Sequence, residues 1–250
     1  MQRLQLIKKI LAITNFCLFT TFVYADDIGD ITEHTGSSGI VRDSGEILNG
    51  GVGEDIFFKD SIETAQGRMN IKFIDETNLK LTEHTEVVID EYYFDPDPSK
   101  SKMAMSFVSG TARFTTGRLG LVPKENIVIT TPTATIGVRG TSFTTSVDEL
   151  GRSLVILLPE TECTIDGDCS PSGEITVTNE GGVVVLNEAF QATMVSSIST
   201  PPIQPVVLDN ILNLDAIDNM FIVTPPKAVQ DASNEEAENR EDSSDSLLDF

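Results

Sequence analysis

Two histidines, three cysteines and 17 basic residues stand against 39 acids in this 250-residue chain, and each shortage excludes something. His34 and His84 lie far apart, each beside a glutamate (Glu33, Glu83) and neither with a second histidine at ligand spacing. A zinc site is therefore not expected. The net charge of −22 argues against nucleic acid and anionic lipid as partners, since both need Lys and Arg to neutralise them. No nucleophile elbow, phosphate loop or dinucleotide fingerprint occurs. Gly36-Ser37-Ser38-Gly39 lacks the flanks of a catalytic serine. Acidic pairs are so frequent that no one of them marks a glycosidase dyad, and Asp95/Asp97 and Asp166/Asp168 offer too few ligands for a calcium loop. The chain reads as non-enzymatic, with no cofactor, no metal and no catalytic residue.

Long apolar runs are missing too, with one exception. Arg3, Lys8 and Lys9 precede an apolar stretch over residues 10–22, closed by Val23-Tyr24-Ala25. Basic, apolar and small-residue regions in that order predict a secretory signal peptide over residues 1–25, cleaved between Ala25 and Asp26. Thr14, Asn15, Thr20 and Thr21 interrupt the stretch, which falls short of the roughly 20 residues that span a bilayer. No stable membrane insertion is expected after cleavage, and the chain is expected in the periplasm or outside the cell. The exported part carries 14 bases and 39 acids, a net charge of −25. Cys17 leaves with the signal, and an even pair in an oxidising compartment predicts a Cys163–Cys169 disulfide. So short a ring contributes about 2–3 kcal/mol, enough to pin a hairpin tip.

Between residues 26 and 200 short alternating segments separated by turn residues predict an all-β domain, either a solenoid-like roll or a compact β-sandwich. Asn70-Ile71-Lys72-Phe73-Ile74 and Leu79-Lys80-Leu81-Thr82 alternate with period two around a hairpin turn over residues 75–78. A strand over residues 86–94 stops at Asp95-Pro96-Asp97-Pro98, because proline cannot donate to a ladder. Residues 102–108 read as a strand and 111–114 as a separate segment, with Ser109-Gly110 between them. Ile127-Val128-Ile129-Thr130-Thr131 is β-branched throughout, as in a strand buried on both faces. Residues 201–228 read as a linker with Pro201, Pro202 and Pro205. Within it Leu208, Ile211, Leu212, Leu214, Ile217, Met220 and Phe221 recur at mostly helical spacing, predicting one short helix. Residues 229–250 have one base, Arg240, among eight acids and too little apolar surface to offset the entropy of ordering, so a disordered acidic tail is expected.

One stretch is more specific. Thr131-Pro132-Thr133-Ala134-Thr135-Ile136-Gly137-Val138-Arg139-Gly140-Thr141-Ser142-Phe143 resembles the core signature of the FecR protein domain. Three further segments resemble that family in the same order: Ser61 to Ala65, Ile71 to Leu81 and Phe107 to Arg113. Glu76 departs from the family's pattern, which has glycine after the aspartate, so the turn there should not be the type I′ that Asp-Gly favours. Thr131, Pro132, Ala134, Gly137, Val138, Arg139, Gly140, Thr141 and Phe143 are the motif residues to which a structural or binding role falls. The two glycines would serve special backbone conformations or close approaches. Arg139 would fork onto a carboxylate or onto carbonyls beneath a turn, with ligand binding as the alternative.

The resemblance implies an exported interaction domain of a Gram-negative bacterium. The family's namesakes also carry a cytoplasmic anti-sigma segment and a membrane span, and relay a signal from an outer-membrane iron-siderophore receptor. With nothing ahead of the signal peptide in this sequence, the expectation is a binding or scaffold module. Its partners would be other envelope or extracellular proteins, or surface polymers. A component that relays a receptor signal to a separate membrane partner is the alternative.

Overall fold

The structure is a computed structural model and describes residues 27–121, 126–159 and 170–208. The predicted signal peptide with its expected cleavage point between Ala25 and Asp26, the predicted Cys163–Cys169 disulfide, the helix expected after residue 208 and the acidic tail all lie outside the described residues.

Alternation of apolar and polar residues sets the elements. The strands are β1 (Gly29–Thr35), β2 (Ser38–Val41), β3 (Ile47–Asn49), β4 (Asp55–Ile56), β5 (Ser61–Thr64), β6 (Arg68–Phe73), β7 (Asn78–Leu81), β8 (Thr85–Tyr93) and β9 (Lys102–Thr115). They continue as β10 (Ile127–Thr130), β11 (Thr135–Arg139), β12 (Ser142–Val147), β13 (Ser153–Leu157), β14 (Glu174–Asn179), β15 (Gly182–Leu186), β16 (Gln191–Val195) and β17 (Val206–Val207). Two 3-10 turns, Pro98–Lys100 and Arg118–Leu121, and a 3-10 residue at Asn126 are the helical elements among the described residues. The chain is all-β.

All these strands belong to one hydrogen-bonded sheet, folded over at β9 into two halves. The first half runs β4-β1-β6-β7-β9-β12-β13-β16-β17. The second runs β3-β2-β5-β8-β9-β10-β11-β14-β15. Neighbours are antiparallel except β9 and β10, which run parallel. One face of each half supplies a single core, with Ile31, Ile71 and Phe73 from the first and Ile40, Ile62 and Ile89 from the second. The arrangement is a sandwich in which the chain crosses repeatedly between halves.

The expected break at Ser109-Gly110 is instead a bend inside one long strand. Residues up to Ser109 pair with β8, and residues from Gly110 onward pair with β12. Val108 is the extra residue of a bulge, since Phe107 faces Val87 and Ser109 faces Glu86. The bulge shifts the parity of burial from Met103, Met105 and Phe107 to Ala112 and Phe114, which re-aims the strand. Gly110 has φ +91°, and a Cβ there would lie 2.4 Å from the Thr85 Cα. Only glycine fits.

A second expectation is corrected at β10. Ile127 and Ile129 are buried, but Val128 is half-buried and Thr130 exposed, so this strand has one buried face. The outer surface of the second half is open there, and its β-branched residues suit the pleat without being core. The strand buried nearly throughout is β12, where Ser142, Thr144 and Thr145 are covered along with Phe143.

The turn at Glu76 is a three-residue loop. The Phe73 carbonyl accepts from the Glu76 N–H at 2.9 Å, and the Phe73 N–H donates to the Thr77 carbonyl at 2.9 Å. Glu76 takes a left-handed conformation with φ +71°, as in a type I turn followed by a bulge residue. That conformation costs a non-glycine residue about 1–2 kcal/mol. A Glu76→Gly chain loses the half-exposed Lys72–Glu76 ion pair, which solvent screens, and gains some unfolded-state entropy. The expected net result is a small stabilisation, read as a raised urea midpoint at unchanged slope. A lowered midpoint would mean that the ion pair outweighs the strain.

Candidate functional site

The motif forms one hairpin and its flanks, and most of it is internal. Thr131 to Ala134 make the tight turn from β10 into β11. The Thr131 N–H donates to the Ala134 carbonyl at 2.8 Å, and the Ala134 N–H donates back to the Thr131 hydroxyl at 3.0 Å. The Ser153 hydroxyl donates to that of Thr131 at 2.7 Å, and the Thr133 hydroxyl lies 2.7 Å from Ser153 and reaches the Val195 carbonyl at 3.2 Å. Ser153 lies on β13 and Val195 on β16, so this buried hydroxyl knot ties the motif hairpin to the other half of the sandwich. Satisfied buried networks of this kind fix a single geometry.

The remaining motif residues divide between core and rim. Ile136, Val138 and Phe143 are fully buried, and the Phe143 ring packs 5.5 Å from that of Phe114. Gly140 has φ +51° and sits against Gly120, whose carbonyl would be 3.0 Å from an added Cβ. The Thr141 hydroxyl meets that of Ser172 at 2.8 Å, and Ser172 in turn donates to the Leu158 carbonyl at 2.8 Å. Arg139 is exposed on the outer face of the second half, opposite Glu174 on β14. The fork expected beneath a turn is not found among the described residues, because odd-numbered β11 positions point away from the core. Pro132 and Thr135 are exposed as well.

What this hairpin presents outward is unusual for so acidic a chain. Strand register aligns Ala104, Val128, Gly137, Thr176 and Val185 in one row across five strands, and Ser106, Thr130, Thr135, Thr178 and Val183 in the next. None of the ten is charged. Val183 and Val185, on the end strand β15, are 59% and 41% exposed. An open cleft of about 440 Å³ lies at one end of the strip, lined by Thr130 to Thr135, Thr178 to Glu180 and Ile198. A second, of about 290 Å³, lies where Gly120, Gly140 and Ser172 meet. The first is walled mainly by threonines with Pro132, Asn179, Glu180 and Ile198, and the second by hydroxyls and glycines.

Two polar clusters were not legible as such in the sequence. Asp75, fully buried, accepts hydrogen bonds from the Thr77 hydroxyl (2.7 Å), the Tyr92 hydroxyl (2.8 Å) and the Leu119 N–H (3.0 Å). Burial and the neighbouring Asp75 push the Tyr92 phenol far above its usual range. Arg42 donates to Asp60, to Glu54 at 3.0 Å and to the Asp55 carbonyl at 2.8 Å, over the Phe57 ring. Both clusters hold loops to strands.

The histidines do not come together. His34 is half-buried with its Nε2 2.8 Å from the Ser38 hydroxyl, and burial pushes its pKa down. His84 is exposed in a turn. No group of three His, Cys, Asp or Glu side chains that could hold a metal occurs among the described residues.

Against known proteins, the sequence model of the FecR protein family matches residues 60–160, which hold Asp75, Gly110, the motif hairpin and part of the outer strip. No curated protein matches the chain. Among solved structures, a candidate anti-sigma factor from Parabacteroides distasonis ATCC 8503 is similar, with 16% identity and a TM-score of 0.41. That match covers 57% of this chain and 57% of the other.

Proposed function

We propose that this chain, which carries a FecR domain over residues 60–160, is a non-catalytic protein-binding module of the bacterial envelope. The observation that carries the reading is the uncharged outer strip of β9, β10, β11, β14 and β15. A surface of β-branched and small residues suits another protein's apolar surface, and the one base bordering it on β11, Arg139, faces Glu174 across the register. The knots around Thr131 and Thr141 hold the strip rigid, so little ordering entropy opposes binding.

The FecR match also supports a finer reading, in which the partner is a signalling protein and the module passes a receptor's state to a membrane component. Capture from an envelope extract tests both. The exported chain, immobilised, is expected to retain a discrete protein. Thr135→Lys and Val185→Lys should each reduce that capture at least tenfold, while Val41→Lys, exposed at the far end of the same half, should leave it unchanged. Equal capture by all four chains contradicts the strip as the binding surface. A receptor or sigma-pathway protein in the eluate favours the signalling reading, and a structural envelope protein disfavours it.

A further inference from the structure

The outer face of the first half differs from that of the second. Register aligns Lys80, Arg113, Thr144, Ile156, Ala192 and Val206 in one transverse row from β7 to β17. The row is graded, basic at one end, hydroxyl in the middle and apolar at the other end. Although it faces away from the main core, Ile156 is 8% exposed and Ala192 2%. With Leu158, Ala189 and Phe190 they form a second, smaller apolar cluster, against which Leu154 and Leu208 pack. Lys72, two positions along β6 from the Lys80 partner Asn70, extends the basic end. Burial lowers the pKa of Arg113, in keeping with a covered site.

Leu208 is where the described chain ends. Its N–H donates to the Phe190 carbonyl at 3.0 Å, so the chain leaves from the apolar end of the graded face. The next residues, Asp209 to Phe221, carry Ile211, Leu212, Leu214, Ile217, Met220 and Phe221 with Asp209, Asp215 and Asp218 between them. Thirteen residues at helical rise span about 20 Å. From β16 to β7 is four strand spacings, about 19 Å. The segment starts at an apolar patch and carries acids toward a basic one.

We infer that residues 209–221 dock in cis on the outer face of the first half. Their apolar side continues the Ile156–Phe190–Leu208 cluster, and Asp215 and Asp218 lie toward Arg113, Lys80 and Lys72. The acidic tail beyond is then anchored on this side, and the uncharged strip on the opposite half is left open. This inference goes beyond the proposed binding function and stands without it.

Zero-length carbodiimide cross-linking of the full exported chain tests the inference, with mass spectrometry on a mixture of ¹⁵N-labelled and unlabelled protein. The expected result is cross-links from Lys80 or Lys72 to Asp215 or Asp218 within one chain, without mixed-isotope pairs. A full chain with Leu212→Ser, Leu214→Ser and Ile217→Ser together should lose those cross-links at least tenfold while the β-sheet signature of its far-UV spectrum is kept. Mixed-isotope pairs would place the segment on a second copy and overturn docking in cis. Absence of these cross-links, or their persistence in the triple variant, overturns the inference as well.

Discussion

Replacing Asp75 by Asn is expected to lower stability by about 3 kcal/mol, although the two side chains are nearly the same size. The Asp75 carboxylate accepts from the Thr77 hydroxyl and N–H, the Tyr92 hydroxyl and the Leu119 N–H. An amide has one acceptor oxygen, and its NH₂ group would face donors. Hydrogen bonds to a charged acceptor contribute about 1.5–3 kcal/mol each, and a buried donor left without a partner costs about 1–3 kcal/mol. For a domain of this size the loss corresponds to a fall in melting temperature of about 6–12 °C. Tyr92→Phe removes one donor and keeps the ring stacked on Phe73, 5.3 Å away, so about 1 kcal/mol is expected there. If Asp75→Asn melts within a degree of the parent, the cluster is not what joins the β6–β7 hairpin to β8 and to the 3-10 turn at Arg118–Leu121.

Arg42→Ala should be costlier still, about 3–5 kcal/mol, because it strands a charge inside the protein. Asp60 is 1% exposed, and besides Arg42 only the Phe57 N–H, at 2.8 Å, is bonded to its carboxylate among the described residues. Burial pushes the Asp60 carboxyl above the ordinary range, while the Phe57 N–H and Arg42 hold it back. Without Arg42 it rises further. The folded variant then keeps a proton that the unfolded chain has lost, so its stability falls as pH rises between the unfolded and folded values. The deficit relative to the parent is therefore expected to be smaller near about pH 4.5 than near about pH 7.5. Denaturant midpoints at the two pH values measure it. Pairing Arg42→Met with Asp60→Leu should restore most of the loss, since removing both charges removes the uncompensated one. A deficit that does not change with pH would show that lost packing on Phe57, not the stranded carboxylate, is the cause.

The sequence carried the strands well and their partners poorly. Period-two alternation at Asn70 to Phe73 and at Leu79 to Leu81 reports burial directly, and those residues lie in β6 and β7, with Ile74 and Thr82 just outside. Position 108 could not be read the same way. A bulge and a bend that keep the strand intact look like a break, because glycine after serine is also turn punctuation. Ile127 to Thr131 misled for a related reason, since β-branched side chains favour the pleat whether or not they are covered. Within the motif, Gly140 follows from backbone chemistry alone. The exposure of Arg139 follows only from the parity of β11, which burial of Ile136 and Val138 sets. Arg42 with Asp60, and Asp75 with Leu119, are joined across 18 and 44 positions. No local pattern marks such pairs, and the outer strip is legible only once the register of five strands is known.

The reading of this chain as a binding module rests on the strip, and site-specific photo-cross-linking tests it most directly. A photoreactive side chain is placed at Thr135, at Val183 or, as the control, at Ile47, which is 75% exposed at the opposite end of the same half. The three chains are expressed in the source bacterium and irradiated in intact cells. The expected result is one discrete protein adduct, the same from Thr135 and Val183 and absent from Ile47. Adducts from Ile47 alone, or identical patterns from all three positions, would contradict a partner bound to the strip.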